Sequence, residues 1–359
     1  MVKRSQLVAL LLVIIPLCAL GLSTGTAQEK TAEQAFKNIQ VLKGVPASQF
    51  DAVMASFTGS LGVRCNHCHV PGQFDKDDKP AKQTARKMIR MVFDLNKGSF
   101  DNRGAVTCVT CHRGQTKPAN VPSLGQSLWL PSTQTAKQES VLPSVEQILE
   151  RYVQALGGRA AIERVTSRVW KGSRVGADGV LVPEEVYAKA PNKLLTVTSY
   201  PNVVFRTGFD GAHGWARNNQ GTLDIPAAML AQLRREAEFY RETRLKDIYS
   251  KLTLVGRETV GGREAYIVEA APADGGDIEK LYFDVETGLL VRKYSETKTV
   301  LGQFPTQTDY EEYREVDGVK LPFNIRWSIP GRAWGRKITE VKQNVSLDDA
   351  QFNPPAGGN

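Results

Sequence analysis

Two short stretches hold most of the residues in this sequence whose types and spacing could do chemistry. Arg64 to Gln73 reads RCNHCHVPGQ and Thr107 to Gln115 reads TCVTCHRGQ, and each contains Cys-x-x-Cys-His. Four chemistries compete for such a pattern. Two CxxC pairs can chelate one zinc ion through four thiolates, but zinc does not ask for a histidine directly after both pairs. A thiol redox pair expects a CxxC at a helix start in a strand-helix-strand setting, and nothing before residue 116 reads as a strand. Plain disulfides leave the two histidines as coincidence. Covalent haem attachment uses every residue. Cysteines at i and i+3 of a short helix present both sulfurs on one side, where they reach the two vinyl groups on one porphyrin edge. The imidazole at the next position then falls under the ring. Cys65 and Cys68 are therefore expected to bond one haem with His69 as its proximal ligand, and Cys108 and Cys111 a second with His112 below it.

A residue count narrows the opposite ligands. The chain has four histidines: His67, His69, His112 and His213. His67 lies inside its own motif, on the proximal side, and His213 lies about a hundred residues away. Thioether sulfur remains. Of the five methionines, Met54, Met88 and Met91 lie in the segment with the motifs, on helix faces upstream of them. Met54 is assigned to the first haem and Met88 to the second, with Met91, one turn on, as its competitor; the bland alternative is that all three fill the core. With both iron positions filled, outer-sphere electron transfer is the natural role.

The N-terminus has a leader's pattern. Lys3 and Arg4 precede an apolar run from Leu7 to Leu22, shorter than a typical span, and Gly25-Thr26-Ala27 supplies small residues for cleavage after Ala27. The alternative is a retained membrane anchor. Cleavage takes the formal charge from +8 to +6 and removes Cys18, so every remaining cysteine belongs to a CxxCH. An exported protein sits where spare thiols react, and none is spare. Residues 28–113 carry 13 Lys and Arg against 8 Asp and Glu. Lys82, Arg86, Lys87 and Arg90 line one helix, either as a solvated face or as a surface that steers acidic redox partners. No aromatic interleaving points to nucleic acid.

The elements that must position these groups fall into parts. Residues 28–116 read as helices and loops. Phe50, Val53, Met54 and Phe57 share one helix face, and a second helix runs from Pro80 to near Gly98, with Met88, Met91, Val92 and Leu95 on its face. Residues 117–142, rich in Pro, Ser, Thr and Gln, read as a linker. Residues 143–359 open with a helix, Val145 to Leu156, and continue as strand-like runs with hairpin signals at VGGRE, DVETGLL and EVDGVKLP. One long charged helix is expected over 226–245. His213 and Trp215 read as structural residues in a turn. The expected fold is multidomain: a mainly α multihaem unit, then an α+β unit with a meandering antiparallel sheet.

Two resemblances follow from these residues. KNIQVLKGVPASQFDAVMASFTGSLGVRCNHCHV and KPAKQTARKMIRMVFDLNKGSFDNRGAVTCVTCHRG resemble the cytochrome c subunit of photosynthetic reaction centres. In that family each haem sits in a helix, turn and CxxCH unit, and a helix methionine is the sixth ligand of three of four haems. The resemblance implies Met54 for the first haem and, as the first residue of Met-x-x-Met, Met88 over Met91 for the second. Only two motifs are present, and a different domain replaces the family's other half. The resemblance thus implies an exported, periplasmic, two-haem electron carrier between redox proteins, a membrane reaction centre or a respiratory complex among them, either free or membrane-associated. The second part resembles LolA-type lipoprotein-carrier domains, through YVQALGGRAAIERV, LVGRETVGGREAYIVE and LYFDVETGLLVRK. That implies a curved sheet over helices with an apolar cavity for a lipid. A lipid-binding protein with a redox-sensing haem unit, or a two-haem peroxidase with one open iron position, is the alternative function.

Overall fold

The computed structural model describes residues 29–118, 142–176, 179–223, 225 and 227–354. The expected leader and most of the expected linker lie outside these. The first unit holds α1 (Ala32–Ala35), α2 (Phe50–Leu61), α3 (Pro80–Ser99) and α4 (Cys108–His112), with 3-10 turns at Ala47–Gln49 and Cys65–His67. α2 stops at Gly62, whose left-handed φ of 66° lets its N–H close onto Thr58 O. α3 starts with Pro80, whose ring suits a first helical position. Ala32, Leu42, Val45, Val53 and Ile89 form a small core, with Met54, Phe57 and Phe93 against it.

The cationic face expected on α3 is divided. Lys82 and Arg86 are buried, not presented to partners. Lys82 Nζ lies 3.1 Å and Arg86 Nη1 2.9 Å from the Asp77 carboxylate, and Lys82 also donates to the carbonyls of Phe74 and Lys76. They clasp the loop that follows the first motif onto α3. Lys87 and Arg90 remain exposed.

The second unit begins with α5 (Val145–Ala155) and α6 (Arg159–Glu163). Ser144 caps α5, its side chain accepting from Gln147 N at 3.2 Å. A single antiparallel sheet of 13 strands follows: β1 (Ser167–Val175), β2 (Leu181–Lys189), β3 (Lys193–Tyr200), β4 (Val203–Phe209), β5 (Gly214–Asn218), β6 (Gly221–Leu223), β7 (Tyr249–Val260), β8 (Arg263–Pro272), β9 (Glu279–Asp284), β10 (Leu290–Thr299), β11 (Gly302–Val316), β12 (Val319–Ile329) and β13 (Arg332–Gln343). The chain starts in the middle of the sheet at β1 and walks outward to the β6 edge. It crosses through α7 (Ala227–Ala237) and α8 (Leu245–Ile248), then returns from the β7 edge until β13 pairs with β1. Curvature comes with register shifts in β1, β7 and β10. Ile148, Leu149, Tyr152 and Leu156 of α5 pack on Phe209, Val268, Leu281 and Phe283 of the sheet. Behind the other face, a 3-10 turn at Asp349–Phe352 buries Phe352, whose carbonyl accepts from Trp215 Nε1 at 2.7 Å.

Several expectations change. The long helix over 226–245 is broken into α7, a 3-10 turn at Arg241–Thr243 and α8. Trp215 lies on β5, not in a turn.

Two hairpin tips join the units. Leu301, in the two-residue turn between β10 and β11, is 5% exposed and belongs to the small core of the first unit. Next to it, a Cβ on Gly302 would stand 2.6 Å from Thr107 Cγ2. The Pro330-Gly331 tip between β12 and β13 presses on α2 so closely that a Cβ on Gly59 would stand 2.3 Å from Pro330 Cβ.

Two outcomes follow. Leu301→Ala should cost about 2–4 kcal/mol and speed amide hydrogen exchange at Val53 and Ile89; unchanged exchange there would show that the tip carries no packing. Arg86, and after it Lys82, hold the Asp77 carboxyl well below the usual carboxylate range. A depressed folded value stabilises above the unfolded one and is lost as the pH falls below about 4. Acid titration of the first unit's stability should therefore be blunted in Asp77→Asn, and an identical profile would contradict the clasp.

Candidate functional site

The two motifs fold as single turns. Arg64 is extended, and the N–H groups of Cys68 and His69 then both close on Cys65 O, at 3.3 and 3.0 Å. In α4, Thr107 is the extended N-cap and its N–H donates to Thr110 Oγ1 at 3.0 Å. A single turn puts positions i, i+3 and i+4 on one side. Cys65, Cys68 and His69 therefore share a side, as do Cys108, Cys111 and His112. Among the described residues no disulfide joins the four motif cysteines, and burial raises the Cys68 and Cys108 thiols above their usual range.

Each histidine is anchored in the same way. His69 Nδ1 lies 3.0 Å from Phe74 O, and His112 Nδ1 lies 2.9 Å from Gln115 O. A carbonyl only accepts, so the proton sits on Nδ1 and the Nε2 lone pair is free for a metal. The polypeptide turns back to bring those carbonyls under the rings. Gly72 does so in the first motif with φ 73°, and Arg113 and Gly114 do so in the second with φ 49° and 85°. Phe74 O also accepts from Lys82 Nζ at 2.9 Å, so a buried cation sits one hydrogen bond behind the first imidazole. His67 is exposed, and His213 stands beside Asp210, 3.7 Å away.

The two motifs are brought together at their ends. Gly114 N donates to Ser60 O at 2.8 Å, and Gly62 approaches Gly114 so closely that a Cβ there would stand 2.1 Å from its carbonyl oxygen. The approach to the second motif is fixed by Asn96, whose amide donates to Val106 O at 2.7 Å and accepts from Val106 N at 3.0 Å. Sequence reading missed Asn96 and placed Lys82 and Arg86 at the surface. The available signal was their spacing with Ile89 on the buried face of an otherwise amphipathic α3.

The three methionines divide. Met54 is half-buried against the small core on α2. Met88 and Met91 on α3 are 39% and 41% exposed, with Leu95 alongside. A shallow groove of about 560 Å³ runs along this face, lined by Met91 and Leu95 between Lys87, Arg90, Asp94 and Ser99. Met88 is not among its lining residues. Among the described residues no three His, Cys, Asp or Glu side chains converge as a metal site, which gives the four-thiolate zinc reading no geometry. Paired thiols, an Nε2 held free beside each pair and an uncovered thioether stripe fit a covalently bound haem.

Comparison with known proteins gives the same direction. Residues 18–149 match the family model described as photosynthetic reaction centre cytochrome C subunit. The photosynthetic reaction center cytochrome c subunit of Thermochromatium tepidum is 37% identical over 92 residues, 24% of this chain and 22% of that protein. Cytochrome c-554 of Chloroflexus aurantiacus is 36% identical over 94 residues, again 24% and 22%. The chain thus spans about a fifth of the length of these relatives. Among solved structures, a DUF1329 family protein from Desulfovibrio piger aligns with 59% of this chain and 98% of its own, at 14% identity and TM-score 0.42. A LolA superfamily protein from Nitrosomonas europaea aligns with 59% and 99%, at 12% and 0.38. The part of the chain that holds both CxxCH motifs is therefore similar to cytochrome c subunits of photosynthetic reaction centres, and the sheet lies outside that match.

Proposed function

We propose that this chain is an exported two-haem c-type cytochrome that passes electrons between redox proteins. The observation that carries the reading is the repeated arrangement of each motif: paired thiols on one side of a turn, and a histidine whose Nδ1 is tied to a backbone carbonyl. Cys65 and Cys68 hold one haem and Cys108 and Cys111 the other, with His69 and His112 presenting Nε2 to iron. Bound haem supplies a one-electron couple. The protein's part is to set the tautomer of each imidazole and to hold the two motifs beside each other.

Met54 and Met88 are the proposed sixth ligands. Met91 remains the competitor for the second, since it faces the groove on α3. Thioether ligation of both irons leaves no open position for a substrate, which favours electron transfer over a peroxidase reaction. Docking falls to the exposed cations Lys87 and Arg90 rather than to Lys82 and Arg86, because the latter pair is buried and engaged by the shared Asp77 carboxylate. The partners are acidic redox proteins on the outer side of the cytoplasmic membrane, a reaction centre or a respiratory complex among them.

The reduced-pyridine spectrum of the exported protein should show two c-type haems per chain, and one in a Cys108→Ala/Cys111→Ala variant; a haem-free protein would sink the reading. Met54→Ala and Met88→Ala should each remove about half of the long-wavelength sulfur-to-iron absorption of the oxidised form. Loss in Met91→Ala with none in Met88→Ala would transfer the second ligand to Met91.

A further inference from the structure

A second hollow, of about 100 Å³, lies between α5, α6 and the sheet, remote in sequence from both motifs. The resemblance to lipoprotein carriers implies an apolar cavity here. The walls are instead mixed: Leu156 and Val319 on the aliphatic side, with Arg168, Arg241 and Lys293 on the other. Two of these cations have counter-ions. Arg241 Nε lies 3.1 Å from Glu242, and Lys293 Nζ lies 3.4 Å from Glu279, which also accepts the Tyr249 hydroxyl.

Arg168 has none. It is 8% exposed, and its Nε is buried with no hydrogen-bond partner. Its contacts are with the faces of Trp170 and Phe239, at 5.7 and 5.4 Å. The hydroxyls of Tyr152 and Tyr310, which also line the hollow, make no hydrogen bond among the described residues. Burial pushes the Arg168 guanidinium down to about 10, against the pull of Glu242, which lines the same hollow beyond ion-pair distance of Arg168 and is paired with Arg241. A buried guanidinium lacking its counter-ion is a costly arrangement for a fold to retain. A bound oxyanion removes that cost, because the planar fork of arginine matches a carboxylate or phosphate with two parallel hydrogen bonds.

We propose that this hollow is a binding site for a small oxyanion, a carboxylate or phosphate group seated on Arg168 with Tyr152 and Tyr310 as further donors. Its volume is well below the roughly 300–1,000 Å³ of clefts for drug-sized ligands, so the site takes an anionic head or a small free anion rather than an acyl chain. The assignment is independent of the haem reading.

The test uses the full haem-loaded chain, titrated calorimetrically with inorganic phosphate and with acetate against matched chloride. Saturable binding of one or both is expected. Binding of phosphate alone assigns a phosphate site, and of acetate alone a carboxylate site. Arg168→Met should weaken the effective anion at least about tenfold. The same substitution should leave the haem spectrum unchanged and should not lower the anion-free melting temperature, since it removes an unpaired buried charge. Should that variant fail to fold, Tyr310→Phe is the second, with a weakening of about threefold. Chloride-like behaviour of both anions in the wild type overturns the site. So does unaltered affinity in Arg168→Met, or in Tyr310→Phe where that variant stands in for it.

Discussion

A neutral imidazole has one lone pair to give, and the hydrogen bond on its other nitrogen decides which. In this chain that decision is made twice by the backbone. Phe74 O and Gln115 O take the Nδ1 protons of His69 and His112, and both carbonyls arrive through residues with left-handed backbone placed after the motif. Much of the first unit secures those two carbonyls. Lys82 and Arg86 bind the loop that contains Phe74 through its carbonyl and through Asp77, and Gly114 docks the second loop onto the end of α2. A cation one hydrogen bond behind the first imidazole, with no counterpart behind the second among the described residues, makes the two otherwise matched sites electrostatically unequal. Under the proposed two-haem reading, inequality of that kind would give the two centres different potentials.

The sheet is more than an appendage to this unit. Leu301 completes the small core, and the Pro330-Gly331 tip rests on the helix that leads to the first motif. Both contacts are two-residue hairpin turns at the same end of neighbouring strands, so the sheet addresses the first unit with its tips and keeps its helix-covered face elsewhere. The charged hollow lies under that face. The two CxxCH motifs and the charged hollow thus lie in different units that meet through these hairpin tips.

Much of this was legible in the sequence, and for physical reasons. Cys65, Cys68, His69 and their counterparts are local: their chemistry depends on one turn, so spacing alone exposes it. α2, α3 and α5 show their apolar faces at helical spacing, and turns such as VGGRE announce hairpins through glycine. What was hidden depends on partners far along the chain. Lys82 reads as a surface cation until Asp77 and two carbonyls surround it. Leu301 joins the core of the first unit from about two hundred residues further along the chain. The helix expected over 226–245 breaks near Phe239, whose N–H bonds to Pro191 O and whose ring turns into the core. Arg168 could not be distinguished from any strand arginine, because its lack of a partner is a property of the whole interior.

Peptide mapping of the mature protein by mass spectrometry tests the central claim most directly. The account predicts that the peptide containing Cys65 and Cys68 and the peptide containing Cys108 and Cys111 each carry the mass of one haem. Unmodified thiols, or disulfides within or between those peptides, would contradict it.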